Sequence, residues 1–304
     1  MHLNLSTLRL LSECAISAAY QAGHFIKRRS QEPISVSHKA GKESLASQVV
    51  TEVDQMAQEI ILKILQPTCE QFDLALLAEE SEDNQSRFEK DYFWCIDPLD
   101  GTLSFTEQTP GFSVSISLIS KEGESMIGVI YDPVKETLYH ALKGEGAFRN
   151  GELWQANAPQ GNQNLQNQDA KAQVPLTIMA DRSFFNHSLF TKTIEYAHSL
   201  VAKFGYSGLS TRFHGGGAMN AMWVLERGPA FYLKYPSNRG GSLWDFGASA
   251  CIAKEFGALV CDLYGGEFEL NRKESTYMNH KGILYSSHRA LGNDIMEFFE
   301  QQEY

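Results

Sequence analysis

The chain has 304 residues, of which 21% are charged and 43% hydrophobic, and its formal net charge is −11. That length suits one large domain or two small ones, and the composition is ordinary for a globular protein. The acidic balance argues against a binder of duplex or other polymeric nucleic acid, which normally carries a basic stripe. It leaves an anionic small substrate open, because bound divalent cations reverse the local charge.

Cysteine usage and apolar runs point to a soluble cytoplasmic protein. The five cysteines are Cys14, Cys69, Cys95, Cys251 and Cys261. Their odd number, without a C-x-x-C pair, is typical of buried thiols in a reducing compartment rather than of a disulfide framework or a zinc site. No uninterrupted apolar run approaches the ~18 residues that a membrane span needs. Arg9 and Glu13 interrupt the N-terminal apolar residues, which makes a signal peptide a poor interpretation.

Two amphipathic helices are predicted at the start of the chain. The first runs from Ser6, as its N-cap, to Arg29, and the second follows Thr51-Glu52-Val53-Asp54 and should end at Pro67. The small, polar segment Ser35 to Ala46 between them is predicted to be a loop, and whether it closes over a site stays open. On its own, Thr51…Asp54 is most simply an N-terminal cap with an acid in the first turn.

Two apolar runs that follow are predicted strands, and both end in acidic residues. Phe72 to Ala78 is followed by Glu79-Glu80-Ser81, and Tyr92 to Ile96 by Asp97-Pro98-Leu99-Asp100-Gly101-Thr102, where Pro98 should stop the strand. If the two strands are parallel neighbours, their carboxyl ends meet. A chain that leaves a strand through Gly-Thr can present N–H groups to an anion, and cations would have to lie between that anion and two carboxylates. Capping of local N–H groups by the Asp side chains is the alternative.

The rest of the first half is predicted to be a largely antiparallel sheet. The strict alternation of Ser113 to Leu118 predicts a half-buried strand, and further strands are expected at Met126 to Tyr131 and Thr137 to Leu142. Gln155 to Gln173 has no periodicity and should form a loop. We therefore place an N-terminal α+β lobe at 1–155, a linker at 156–175 and a C-terminal α/β lobe at 176–304.

The second half alternates strands and helices, as α/β layers do. Strands are predicted at Leu176 to Ala180, Phe231 to Tyr235, Leu259 to Leu263 and Ile283 to Ser286. Helices are predicted at Leu189 to Val201, at Met219 to Glu226, after Trp244-Asp245-Phe246-Gly247 as far as Phe256, and at Leu291 to Phe299. The glycines in His214-Gly215-Gly216-Gly217-Ala218 allow close approach of backbone to a ligand, although a plain flexible loop is the alternative.

Four short acidic motifs, in this order, resemble those of the inositol monophosphatase superfamily. They are Thr51-Glu52-Val53-Asp54, Ala78-Glu79-Glu80-Ser81, Asp97-Pro98-Leu99-Asp100-Gly101-Thr102 and Trp244-Asp245-Phe246-Gly247. The likeness covers nearly the whole chain. It implies a magnesium-dependent, lithium-inhibited phosphomonoesterase with a layered αβαβα fold of the α/β class, a metal site between two lobes, and commonly a homodimer.

The resemblance also implies a role for each matching residue. The metal ligands would be the carboxylates of Glu79, Asp97, Asp100 and Asp245 and the carbonyl of Leu99. Thr102, supported by Asp54 and Glu79, would help to deprotonate the attacking water. Gly101 and Thr102 would contact the phosphate, and Gly215, Gly216 and Gly217 would line the side of the substrate alcohol.

The chemistry of the residues agrees with these implied roles. A ligand set made only of oxygen atoms selects a hard ion such as Mg²⁺ over zinc. Two or three such ions can activate a water molecule and stabilise the leaving oxygen in an in-line displacement. No side chain then has to act as the nucleophile.

One position departs from the family pattern and bears on the substrate. Inositol monophosphatases carry a Glu that contacts ring hydroxyls on the strand before the Trp-Asp motif. Alignment from Arg212 and Asn220 without a gap places Lys234 there, and a short insertion follows within Ser237 to Ser242. A lysine would suit a second phosphate, as in 3′-phosphoadenosine 5′-phosphate or a sugar bisphosphate, unless its side chain points to solvent.

The expected function is hydrolysis of a small phosphorylated alcohol similar to inositol monophosphate. A 3′(2′),5′-bisphosphate nucleotidase or a sugar bisphosphatase is the alternative. A non-catalytic metal-binding regulator is a remote alternative, because such proteins usually lack a metal ligand or the threonine.

Overall fold

The structure is a computed structural model that describes residues 3–31, 37–38, 49–50, 52–156 and 174–302. Several predictions fall partly or wholly outside these residues: the loop from Ser35 to Ala46, the position of Thr51, and the linker at 156–175. The division of the chain into two lobes at that linker stays a prediction.

Two long helices, α1 (Leu5–Arg29) and α2 (Glu52–Phe72), pack against each other at the start of the chain. The predicted N-cap at Ser6 was wrong: the Asn4 side chain caps α1 by accepting a hydrogen bond from the Thr7 N–H at 2.9 Å. Between the helices, β1 (Ser37–His38) and β2 (Val49–Val50) pair antiparallel.

The predicted end of the second helix at Pro67 was also wrong, since α2 continues through this proline to Phe72. A proline in a helix removes one intrahelical hydrogen bond. Buried contacts hold the turn that follows: the Thr68 hydroxyl donates to the Leu65 carbonyl at 2.6 Å and accepts from Trp94 Nε1 at 2.9 Å. Tertiary packing therefore overrides the local signal.

A seven-stranded sheet with the order β3-β4-β5-β6-β7-β8-β9 forms the first half. Its strands are β3 (Ala75–Ala78), β4 (Tyr92–Asp100), β5 (Ser113–Ser120), β6 (Ser125–Asp132), β7 (Thr137–Leu142), β8 (Gly146–Arg149) and β9 (Glu152–Trp154). Only the β3–β4 pair is parallel, as expected for a largely antiparallel sheet. The short helix α3 (Thr102–Thr106) follows β4.

A five-stranded sheet with the order β11-β10-β12-β14-β13 forms the second half. Its strands are β10 (Leu176–Met179), β11 (Leu209–Arg212), β12 (Ala230–Lys234), β13 (Leu259–Cys261) and β14 (Ile283–Ser286). The helices are α4 (Phe190–Phe204), α5 (Gly217–Arg227), α6 (Leu243–Phe256) and α7 (Arg289–Glu300). Strand β10 runs parallel to both β11 and β12. The sequence analysis did not predict β1, β2, β8, β9 or β11, and β1 lies within the segment Ser35 to Ala46 that it assigned to a loop.

The elements stack in five layers, which confirms the predicted αβαβα architecture. Helices α1 and α2 cover the outer face of the first sheet, and α5 and α6 lie between the two sheets. Helices α4 and α7 cover the outer face of the second sheet, with Leu200 and Ile295 in its buried cluster. Within the described residues, no helix has the length and hydropathy that a membrane crossing requires.

Strand β5 is buried on both faces, so the predicted half-buried strand was wrong. Val114, Ile116 and Leu118 pack in the cluster under α1, whereas Ser115 and Ser117 face α6. Ser115 Oγ donates to the Trp244 carbonyl at 2.9 Å, and a Cβ on Gly247 would lie 2.5 Å from Ser117 Oγ. The small serine side chains therefore allow α6 to pack close to the first sheet. The alternation of serine and apolar residues alone would suggest that the serine face is exposed to solvent.

Candidate metal centre

Glu79 and Asp97 are brought together by the ends of two neighbouring parallel strands. Ala78 of β3 is in register with Ile96 of β4, and the Glu79 N–H donates to the Ile96 carbonyl at 3.1 Å. The carboxyl groups of Glu79 and Asp97 lie close enough for the charge of Glu79 to raise the pKa of Asp97. The structure therefore confirms the expected meeting of the two strand ends.

An irregularity in β4 turns Asp97 and Asp100 toward the same site. Residues three apart in a regular strand point to opposite faces, but the pairing with β5 shifts between Asp97 and Asp100. Pro98 lies inside this irregularity and does not stop the strand as predicted, because a proline is tolerated where ladder hydrogen bonds are interrupted. The Leu99 N–H donates to Asp97 Oδ1 at 3.0 Å and fixes that carboxylate.

The fourth carboxylate, that of Asp245, comes from the first turn of α6. Asp245 Oδ2 accepts the Ser242 N–H at 3.1 Å in a capping box, so this side chain is a helix cap. It also joins the acidic site, since ligand oxygens of Asp97, Asp100 and Asp245 all lie within 4.8 Å of one another. Asp245 therefore caps α6 and belongs to the acidic group at the same time.

Burial and mutual repulsion make this group of acids unfavourable without a counter-charge. Burial first, and then the charge of Asp245, raise the pKa of Glu79 and that of Asp100 to about 8 each. Burial, together with the charges of Glu79 and Asp100, also raises the pKa of Asp97. A divalent cation relieves this repulsion, and donors that are all oxygen fit Mg²⁺, so the residues present match the cofactor that the resemblance implies.

The free energy of unfolding of the metal-free protein is expected to fall as the pH rises from about 4.5 to about 8. The pKa values of Glu79 and Asp100 are raised above their ordinary values to about 8, so the folded state binds more protons than the unfolded state in this window. Mg²⁺ competes with these protons, and its stabilising effect should therefore grow over the same window. Thermal unfolding with and without saturating MgCl₂ measures this effect, with KCl at equal ionic strength as the control. An increase in Tm that is the same at both ends of the window contradicts the prediction.

The glycine run before α5 brings the start of this helix onto Asp100. The N–H groups of Gly217 and Ala218 donate to Asp100 Oδ1 and Oδ2 at 3.0 and 2.9 Å. A Cβ on Gly216 would lie 2.2 Å from both oxygens, so only glycine fits at this approach. The sequence predicted close approach to a ligand, and the structure shows close approach to a carboxylate of the site. Contact of Gly215, Gly216 and Gly217 with a substrate stays a prediction.

Thr102 lies between the acidic group and α2. Its hydroxyl donates to the Leu99 carbonyl at 3.1 Å and lies 3.5 Å from Asp54 Oδ1 in the first turn of α2. The preceding Gly101 has φ +84°, and a Cβ there would lie 2.5 Å from the Gly111 carbonyl. The structure thus places the hydroxyl and Asp54 together, as the resemblance implies.

The Lys234 side chain does not point to solvent. It is 15% exposed, and its Nζ lies 2.5 Å from Asp181 Oδ2 and 5.6 Å from the centroid of the Phe246 ring. Burial alone would lower the pKa of Lys234, but Asp181 and the nearby site carboxylates raise it. The positively charged ammonium group of Lys234 thus lies near the carboxylates of the candidate metal centre.

Sequence reasoning missed Asp181, which lies two residues after the end of β10. Its carboxylate accepts the Tyr232 hydroxyl at 2.8 Å and pairs with Lys234. The signal was available, because an acid at the carboxyl end of a predicted strand is the pattern that singled out Glu79 and Asp97.

Comparisons with known proteins agree with the fold. The model of the inositol monophosphatase family matches residues 7–303. Nus factor SuhB of Escherichia coli K12 is 28% identical over 253 residues, which cover 83% of this chain and 85% of the relative. A fructose-1,6-bisphosphatase/inositol-1-monophosphatase of Thermotoga maritima is 28% identical over 251 residues, which cover 82% and 84%.

Solved structures share the fold over nearly the whole chain. The extragenic suppressor protein suhB from Bartonella henselae has a TM-score of 0.73 at 23% identity, covering 96% of this chain and 98% of that one. An inositol monophosphatase from Anabaena has a TM-score of 0.68 at 24% identity, covering 97% of each chain.

Proposed function

This chain belongs to the inositol monophosphatase family, and we propose that it is a Mg²⁺-dependent phosphomonoesterase acting on a small phosphorylated alcohol such as an inositol monophosphate. The observation that carries the proposal is the group of Asp97, Asp100 and Asp245 oxygens within 4.8 Å of one another. Bound cations would relieve the repulsion within this buried acidic group, and cations beside a phosphate stabilise the charge that develops when its phosphoryl group is transferred to water.

Asp97, Asp100 and Asp245 would hold the metal, with the Glu79 carboxylate and the Leu99 carbonyl as further ligands and two or three ions in all. When bound, Mg²⁺ would supply Lewis-acid polarisation of the phosphate and neutralise its charge. Lithium sensitivity, a homodimeric assembly and a cytoplasmic location are further parts of the proposal.

The residues around Thr102 can orient a water molecule and take its proton. The Thr102 hydroxyl donates to the Leu99 carbonyl at 3.1 Å, so an oxygen lone pair remains to accept a hydrogen bond from water. Asp54 lies 3.5 Å from the same hydroxyl. Glu79 would accept the proton of the water as a carboxylate, the form that bound Mg²⁺ favours by displacing the proton that burial otherwise holds on this side chain. The water oxygen attacks phosphorus as its proton passes to Glu79, and the ester P–O bond breaks. The leaving alkoxide oxygen takes a proton from solvent water, and Glu79 returns its proton to solvent, so that the alcohol and inorganic phosphate are released.

Two alternatives find less support. A bisphosphatase would use Lys234 for the second phosphate, but this ammonium is paired with Asp181, whose carboxylate would repel that phosphate. A non-catalytic regulator usually lacks a metal ligand or the threonine, and here Glu79, the aspartates and Thr102 are all present.

Phosphate release from inositol 1-phosphate tests the proposal, with 3′-phosphoadenosine 5′-phosphate and fructose 1,6-bisphosphate in parallel. We expect release from inositol 1-phosphate that requires Mg²⁺ and is inhibited by Li⁺. EDTA-treated protein provides the background. Phosphate release no faster than this background for every compound would contradict the proposal and favour the non-catalytic alternative.

A further inference from the structure

Three parallel strands of the second sheet end at the edge that adjoins the acidic group. Strand β10 lies between β11 and β12, so the residues that follow β10 and those at the end of β12 lie side by side. Asp181 follows β10 and Lys234 ends β12. The Lys234 Nζ lies over the ring of Phe246, the neighbour of Asp245 in α6. The carboxyl ends of such strands are where α/β sheets bind their ligands.

Asp181 and Lys234 are held in place from the buried side. Asp181 Oδ1 accepts the hydroxyl of the fully buried Tyr232 at 2.8 Å, and Oδ2 lies 2.5 Å from Lys234 Nζ. The side chains of Asp181 and Lys234 keep 28% and 15% of their surface exposed. A carboxylate offers about four acceptor positions and an ammonium three donors. The exposed side of the pair can therefore offer an acceptor next to a donor.

A hydroxyl group matches this arrangement because it is both a donor and an acceptor. It can donate to Asp181 and accept from Lys234 without separating the two charges. A second phosphate has only acceptors when ionised, so it would have to draw Lys234 away and lie against the Asp181 carboxylate. Charge and hydrogen-bond pattern thus favour hydroxyls.

We propose that Asp181 and Lys234 form a hydroxyl-binding pair that selects alcohols rich in hydroxyl groups and rejects a second phosphate. This inference rests on the proposed phosphomonoesterase function. It reverses the expectation from the sequence that a lysine at this position favours bisphosphates. Asp181, which is distant in sequence from every acidic motif, becomes a specificity residue.

The test compares kcat/KM for inositol 1-phosphate and for cyclohexyl phosphate, which has the same ring size without the free hydroxyls. The wild-type protein should prefer inositol 1-phosphate, and Asp181→Asn should reduce that preference by about tenfold or more, because a buried polar pair discriminates strongly for its hydrogen-bond partner. Lys234→Met should reduce the preference in the same direction. Glu107→Gln is the matched control, since it breaks the exposed ion pair with Arg182, the residue after Asp181, and should leave the preference unchanged.

The outcomes separate this inference from the proposed function. If Asp181→Asn and Lys234→Met lower kcat/KM equally for inositol 1-phosphate and for cyclohexyl phosphate, the pair is only structural and the inference is overturned. A wild-type protein that prefers fructose 1,6-bisphosphate, or that does not discriminate the two monophosphates, also overturns it while leaving the phosphatase activity intact. Failure to hydrolyse any of these compounds overturns the proposed function, and the inference with it. Thermal unfolding shows whether Asp181→Asn and Lys234→Met are folded. If one of them fails to fold, the substrate preference of the other tests the inference.

Discussion

Asp245→Asn is expected to reduce Mg²⁺-dependent phosphate release by about a thousandfold, or about 4 kcal/mol of transition-state stabilisation. The new amide can keep the helix cap only by placing its oxygen toward the Ser242 N–H, as Asp245 Oδ2 does at 3.1 Å. Its NH₂ group then faces Asp97 and Asp100, where it repels a cation. The loss of activity should therefore come from weakened metal binding.

The same substitution is expected to stabilise the metal-free protein. Asp245 is the largest single charge that raises the pKa of Glu79 and of Asp100 after burial, so its removal relieves repulsion in the folded state. Phosphate-release kinetics over a Mg²⁺ titration and thermal unfolding in EDTA measure the two effects. Asp294→Asn is the control, since that carboxylate pairs with Lys203 on the outer layer. A variant with wild-type activity, or one that is less stable than wild type in EDTA, is inconsistent with the proposed metal centre.

Gly216→Ala is expected to weaken Mg²⁺ binding by about tenfold or more and to destabilise the start of α5 by about 1 kcal/mol. The backbone at Gly216 has φ −70°, which alanine adopts freely, so backbone strain is not involved. The added methyl group would lie 2.2 Å from both Asp100 oxygens. Asp100 must then move, and it loses both its place beside Asp97 and its hydrogen bonds to Gly217 and Ala218.

Calorimetric titration of Mg²⁺ and urea unfolding measure these two effects. Gly208→Ala is the matched control, because a Cβ there would meet no atom within 4 Å. Wild-type Mg²⁺ affinity in Gly216→Ala would mean that Asp100 is not fixed by the start of α5, or does not bind the metal.

Local patterns in the sequence predicted most of the helices and strands and the acidic strand ends, whereas the layered αβαβα arrangement was implied by the resemblance to a family. Apolar runs that end in acids located Glu79 and Asp97, and the parallel pairing of β3 with β4 brought them together. Spacing alone could not predict that Asp97 and Asp100 share a face, since this depends on the irregularity at Pro98.

Features that depend on contacts distant in sequence could not be predicted. The target of the glycine run is Asp100, which lies 117 residues away from Gly217. The sequence analysis assigned Lys234 to a second phosphate, because its partner Asp181 follows a neighbouring strand that is distant in sequence. Likewise, the serines of β5 suggested a solvent-facing side because nothing local indicates that α6 covers them.

The sources of the three clustered aspartates also bear on how the site assembles during folding. Asp97 and Asp100 come from a strand of the first sheet, whereas Asp245 and the N–H groups that hold Asp100 come from the two helices between the sheets. Neither half of the chain contains the complete ligand set by itself. The site therefore forms only after these residues, which are distant in sequence, have come together and the two halves of the chain have packed against each other. A half-folded chain has no complete metal centre.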